Sequence, residues 1–161
     1  LFSNFIAQPP WMGQNIAPFS GFRVVRDETV PGISNLSESS PLSSVTPVSL
    51  NATLLWSSSW LPWDGAPIDT EDVWQISLCS VANSSNVCGT GTTQTVNITP
   101  RRMQEFNVVA SKIYDWQLVD IATGKVIDEN STRPKNNGML TIKNVTIDPT
   151  GVRLRISPRE P

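Results

Sequence analysis

Val73-Trp74-Gln75-Ile76-Ser77-Leu78-Cys79 sets Trp74, Ile76 and Leu78 at alternate positions, with Gln75 and Ser77 between them. That is the period of a β-strand with one buried face. Cys79 ends the stretch, and the chain returns through eight mostly small, polar residues to Cys88, its only other cysteine. Two cysteines at this spacing predict a disulfide that closes a loop at the strand's exit. In the chain-entropy account, closing a loop of about ten residues contributes roughly 2–3 kcal/mol. The strand supplies apolar surface, and the bridge fixes where it leaves.

Outward from this strand the same period recurs. Upstream, Val48, Leu50, Ala52 and Leu54 alternate with Asn51 and Thr53, and the strand runs on to Trp56. Trp60-Leu61-Pro62-Trp63-Asp64-Gly65-Ala66-Pro67 then reads as a loop by its Pro and Gly content. Downstream, Thr95 to Thr99 alternates and Pro100 is expected to end it. Arg101 to Ser111 is the one helix candidate, with Met103, Phe106, Val109 and Ala110 at spacings of three and four. Its β-branched residues allow a bent strand instead. Ile113 to Ile121 is apolar on both faces, which suggests a central strand. Ala122-Thr123-Gly124 predicts a hairpin turn into Lys125-Val126-Ile127, and Asn136-Asn137-Gly138 a second turn. Leu140-Thr141-Ile142 and Val152 to Ile156 are the last strands. Between them Val145 and Ile147 fall out of phase with Leu140 and Ile142, so a bulge is expected near Asn144.

Residues 1–47 hold Pro at short intervals and little periodicity. Their one strand candidate is Phe22 to Arg26. Five early aromatics (Phe2, Phe5, Trp11, Phe19 and Phe22) argue against plain disorder. The expectation is an extended arm over 1–47 that packs on a domain over 48–157, with 158–161 leading toward a stalk or a further domain. Some seven short strands separated by turns, with at most one short helix, predict an all-β fold: a two-sheet antiparallel β-sandwich, immunoglobulin-like or related.

At 161 residues the chain has the length of one domain. Its charged content is 16% and its net charge −2, which gives no electrostatic case for nucleic acid or anionic lipid as a partner. No apolar run reaches the length of a membrane span. The compartment is argued from asparagine. Asn-x-Ser/Thr occurs at Asn35, Asn51, Asn83, Asn97, Asn130 and Asn144. With twelve Asn in the chain and about a fifth of residues Ser or Thr, chance gives about two or three such N-glycosylation acceptors. The excess and the cysteine pair together indicate an extracellular or secretory protein.

The segment Leu140-Thr141-Ile142-Lys143-Asn144-Val145-Thr146-Ile147-Asp148-Pro149-Thr150-Gly151 resembles the stretch joining strands E and F of immunoglobulin-like domains. Arg153 stands where that family places its corner Tyr, and no Cys follows. Leu54-Leu55-Trp56, Val73 to Leu78 and Tyr114-Asp115-Trp116 are similar, more loosely, to β-sandwich modules of fungal cell-surface glycoproteins. Both resemblances imply architecture and carry no site residues.

The chain has no histidine, so the commonest general base and the usual ligand of catalytic zinc are missing. Two bonded cysteines leave no thiolate nucleophile. Cys88-Gly89-Thr90-Gly91-Thr92 lacks the lysine and helix of a phosphate-binding loop. Asp64, Asp69, Glu71 and Asp72 cluster in sequence, as a glycoside hydrolase or a calcium site would require, but a solvated acidic loop is the simpler account. No cofactor and no metal are expected. Trp56, Trp60 and Trp63 are the candidate binding residues, because indole faces stack on sugars or anchor interfaces. Covering the end of the core is their ordinary use. The sequence thus predicts a non-catalytic, N-glycosylated recognition or adhesion domain that meets a protein or glycan at a cell surface. A carbohydrate-binding module with a Trp60/Trp63 platform, a structural domain of a larger cell-surface or viral envelope ectodomain, and a carboxylate-based hydrolase are the alternatives.

Overall fold

The computed structural model describes residues 28–34, 54–59, 62–82 and 87–159. They form nine strands: β1 (Val30–Ser34), β2 (Leu54–Trp56), β3 (Ile68–Asp69), β4 (Trp74–Ser80), β5 (Gln94–Arg101), β6 (Tyr114–Asp120), β7 (Val126–Thr132), β8 (Ile142–Ile147) and β9 (Val152–Pro158). Three of them make one antiparallel sheet, in the order β1-β5-β8. The other six make the second, in the order β2-β4-β9-β6-β7, with β3 sharing the β2 edge of β4. Trp74, Ile76 and Leu78 of β4 meet Val96 and Ile98 of β5 and Ile142, Val145 and Ile147 of β8 in one buried core. The two sheets therefore stack as an all-β sandwich, as the alternation predicts.

The strand that opens the sequence argument occupies an interior position. β4 pairs with β9 on one side and with β2 and β3 on the other. Trp74 is fully buried, and its Nε1–H donates to Thr29 Oγ1 at 2.7 Å. The same hydroxyl donates to the Arg101 carbonyl at 2.9 Å. This relay ties β4 of one sheet to β5 of the other and satisfies an indole N–H that burial would otherwise leave unpaired. Cys79 and Cys88 are joined, with their Cα atoms 5.6 Å apart. The returning chain passes so close to β4 that a Cβ on Gly91 would lie 2.5 Å from the Val81 backbone nitrogen. Only glycine fits there.

Asn144 stands where the bulge was expected. β5 and β8 pair Val96 with Val145 and Ile98 with Ile142, so Asn97 faces two residues, Lys143 and Asn144. Asn144 adopts φ 56°, and its N–H donates to Asn97 Oδ1 at 3.0 Å. The extra residue restores phase, which lets Leu140, Ile142, Val145 and Ile147 all point inward. Asn tolerates this left-handed backbone far better than a β-branched residue. Asn144→Val is expected to cost about 1–2 kcal/mol more than Asn144→Gly in urea unfolding. Both variants lose the glycan acceptor, so their difference reports the backbone alone. Equal stability would show that the bulge imposes no such demand.

Both predicted turns are present, with positive φ at Gly124 and Gly138. Three expectations need correction. Residues 101–111 contain no helix. The Asp69 carboxylate accepts the N–H groups of Gln104 (2.7 Å), Glu105 (3.3 Å) and Phe106 (2.8 Å), which holds them as an irregular turn. Phe106 drops into the core edge-on to Tyr114, with ring centroids 5.8 Å apart. Pro100 does not end β5, because it lies opposite Pro31 of β1, beyond the last β8 partner. Two prolines can face each other only where neither backbone N–H is asked to bridge the pair. Val30–Ser34 is a sheet strand despite its Pro31-Gly32 dipeptide, inside the stretch expected as an arm. Apart from Glu28 and Thr29, the rest of that arm, with the Phe22–Arg26 candidate, and residues 48–53 lie outside the described residues, as do residues 160 and 161.

Candidate functional site

The outer face of the six-stranded sheet is divided in two, and the division begins with a single turn. Pro62-Trp63-Asp64-Gly65 closes through Gly65 N–H donating to the Pro62 carbonyl at 3.2 Å. Ser57 Oγ donates to the Gly65 carbonyl and fastens the turn to the end of β2. Asp64 reaches the sheet. It accepts Arg153 Nη2 at 2.8 Å and Arg153 Nε at 3.1 Å, and Ser77 Oγ at 2.5 Å. Trp63, like Cys88, packs against the Leu55, Cys79 and Val81 cluster, and its ring sits against Gly151. Its Nε1 is buried and has no acceptor among the described residues. The turn thus covers the half of this face formed by β2, β4 and the start of β9.

The other half is open. Along β6, β7 and β9 the outward residues follow from the alternation: Asp115 and Gln117, Glu129 and Ser131, Arg155 and Ser157. Register brings them into cross-strand rows. Gln75, Arg155, Gln117 and Glu129 form one, and Ser157, Asp115 and Ser131 the next. All of these but Gln75, together with Arg159, line a groove of about 610 Å³. Gln117 Nε2 donates to Glu129 Oε2 at 3.0 Å. Arg159 Nη2 lies 2.6 Å from Asp115 Oδ1 and also donates to Ser131 Oγ, which in turn donates to Asp115 Oδ1 at 2.7 Å. These bonds from Arg159 first, then Ser131, hold the Asp115 carboxyl below its ordinary value of 3.8, and the same pairing raises Arg159. A lowered carboxylate pKa stabilises the fold at pH values above the ordinary one, and that contribution fades as pH falls through the lowered value. The pair is exposed, so the contribution is small.

Arg155 differs from its neighbours. It is exposed in the groove, on β9 between Gln75 of β4 and Gln117 of β6 in register, and its side chain makes no hydrogen bond or ion pair with any described residue. Five N–H donors are therefore presented without an acceptor.

The residues proposed from sequence are placed unevenly. Asp64 and Asp69 are each engaged, one by Arg153 and Ser77 and the other by three backbone N–H groups. Among the described residues, no three acidic side chains gather as a metal site would need. Trp56 leans on the main core, and Trp63 covers the disulfide. Trp60 lies outside the described residues. Of the six glycan acceptors, Asn35, Asn51 and Asn83 lie outside them too. Asn97 is 9% exposed in the middle strand of its sheet, with Oδ1 bonded to Asn144 N–H. Asn130 is exposed on the edge strand β7, on the side of its sheet that carries Trp116, and Asn144 is exposed on β8. No described helix is long and apolar enough to cross a membrane. The disulfide is compatible with an extracellular location.

The chain matches no family model, no curated protein and no solved structure.

Proposed function

We propose that this is a non-catalytic, N-glycosylated extracellular recognition domain that binds a glycan along the open groove of the six-stranded sheet. The unpartnered Arg155 between Gln75 and Gln117 is the observation that carries this reading. Sugar hydroxyls donate and accept, and the groove alternates donors (Arg155, Arg159, the Gln117 amide) with acceptors (Asp115, Glu129). Its two acidic and two basic residues balance, which disfavours a strongly charged peptide. Protein interfaces usually centre on buried aromatic or aliphatic anchors, and the outward side chains that line the groove include none. The absence of histidine and the structural duties of Asp64 and Asp69 support the non-catalytic part. An immunoglobulin-like type of sandwich fits the segment Leu140 to Gly151, which passes from β8 of one sheet to β9 of the other.

A glycan array probed with the secreted domain tests the reading. Binding to at least one glycan class is expected, and Arg155→Ala should weaken it about 10- to 100-fold, the loss of a charged hydrogen-bonding group. Trp63→Phe should leave affinity unchanged. An array with no binder, or an Arg155→Ala variant that binds as the parent does, refutes it.

A further inference from the structure

The sandwich has an open side. One sheet ends at β8 and the other at β7, and neither strand has a partner on its outer edge among the described residues. Exposed edges of this kind invite pairing with other chains. β7 also presents Val126 and Ile127, each 47% exposed. On the inner side of β7, alternation places Asp128, Asn130 and Thr132 toward the other sheet, opposite Leu118, Trp116 and Tyr114 in register. These inward residues are polar because β8 does not reach over them. Instead a cleft of about 280 Å³ opens between the two edges, lined by Trp116, Asn130, Thr132, Thr141 and Lys143.

Asn130 stands on the wall of that cleft within the acceptor Asn130-Ser131-Thr132. Its Oδ1 accepts the Ser131 N–H at 2.8 Å. The Nδ2 atom, where a sugar would be joined, makes no bond with the described residues. Directly across the ladder is Trp116, which is 8% exposed and lines the cleft. The cleft therefore offers an apolar floor and a polar rim, which suit the apolar face and polar edge of a pyranose. At about 280 Å³ it falls just under the roughly 300–1,000 Å³ of drug-sized ligand sites. That is room for one ring, not for a branched chain.

We propose that the first N-acetylglucosamine of a glycan on Asn130 sits in this cleft and closes the open side of the sandwich. The sugar covers the remaining edge of Trp116 and stands between β7 and any strand that could pair with it. The inference rests on the N-glycosylation reading above, and the test separates the two. The domain is secreted from a eukaryotic host, its Asn130 peptide is weighed, and an endoglycosidase trims every glycan to a single N-acetylglucosamine. The trimmed protein should melt within about 1 °C of the untrimmed one, whereas Asn130→Gln and Thr132→Ala should melt about 2–4 °C lower. Thr146→Ala, which removes only the Asn144 acceptor, should melt like the parent. Nuclear Overhauser contacts from the acetyl methyl to the Trp116 indole should survive trimming. If Asn130 is occupied but its loss changes neither melting nor Trp116, the seat does not exist and the glycosylation reading stands. If trimming alone lowers melting as far as Asn130→Gln, or Thr146→Ala has the same effect, the sugars act generically and the proposal fails. An unoccupied Asn130 with other acceptors occupied overturns the seat alone, and a domain carrying no glycan at any acceptor overturns both.

Discussion

Trp74→Ala is expected to lower the unfolding free energy by about 3–5 kcal/mol, a large share of the roughly 5–15 kcal/mol typical of a domain. Two losses add. A fully buried indole leaves a cavity between β4 and the opposing sheet, and Thr29 Oγ1 loses the donor that joins it to β4. Trp74→Phe keeps most of the volume and loses only the N–H, so it should cost about 1–2 kcal/mol. The measurement is urea unfolding, where a lower midpoint at unchanged slope reports stability alone. A cost under about 1 kcal/mol for the alanine variant would mean that β4 is not the packing centre.

Asp64→Ala should be the next most damaging substitution, at about 2–4 kcal/mol. Asp64 is 14% exposed and Arg153 33%, so removing the carboxylate strands a half-buried guanidinium. Breaking a fully buried pair in this way costs about 3–5 kcal/mol, and the exposure of Arg153 discounts that figure. Ser77 Oγ loses its acceptor as well. The loss should also free the Pro62–Gly65 turn and with it Trp63. Arg153→Met, which removes the cation and keeps the stem, should cost less than Asp64→Ala. The reverse order would mean that the pair does not hold the turn. This has a consequence for any search for activity: an Asp64 variant that lost turnover would be reporting a weakened fold.

Much of the architecture was legible because it is local. Alternation in Val73–Cys79 and Ile113–Ile121 depends only on neighbours along the chain, and both stretches became interior strands. The Cys79–Cys88 link and the bulge at Asn144 were legible for the same reason. The helix candidate over 101–111 did not form because its spacing was overridden from a distance, by the Asp69 carboxylate 35 residues or more away in sequence. β1 was hidden by Pro31-Gly32, which punctuates most chains but here pairs opposite Pro100. The groove could not be read at all without register. Asp115, Glu129 and Arg155 are scattered in sequence, and only the pairing of β6 with β7 and β9 sets them side by side. The signal was present in the polar alternates of those strands, but no sequence rule says which strands adjoin. Of the candidate tryptophans, Trp63 packs against the Leu55, Cys79 and Val81 cluster, apart from the groove, and Trp60 lies outside the described residues.

The most direct test of the recognition surface is an amide chemical-shift titration of the isotope-labelled domain with a glycan selected on the array. Perturbations should concentrate at Asp115, Gln117, Glu129, Arg155 and Arg159 and vanish in Arg155→Ala. Shifts centred on the Pro62–Gly65 turn, or on the outer residues Thr95 and Thr99 of β5, would contradict the account.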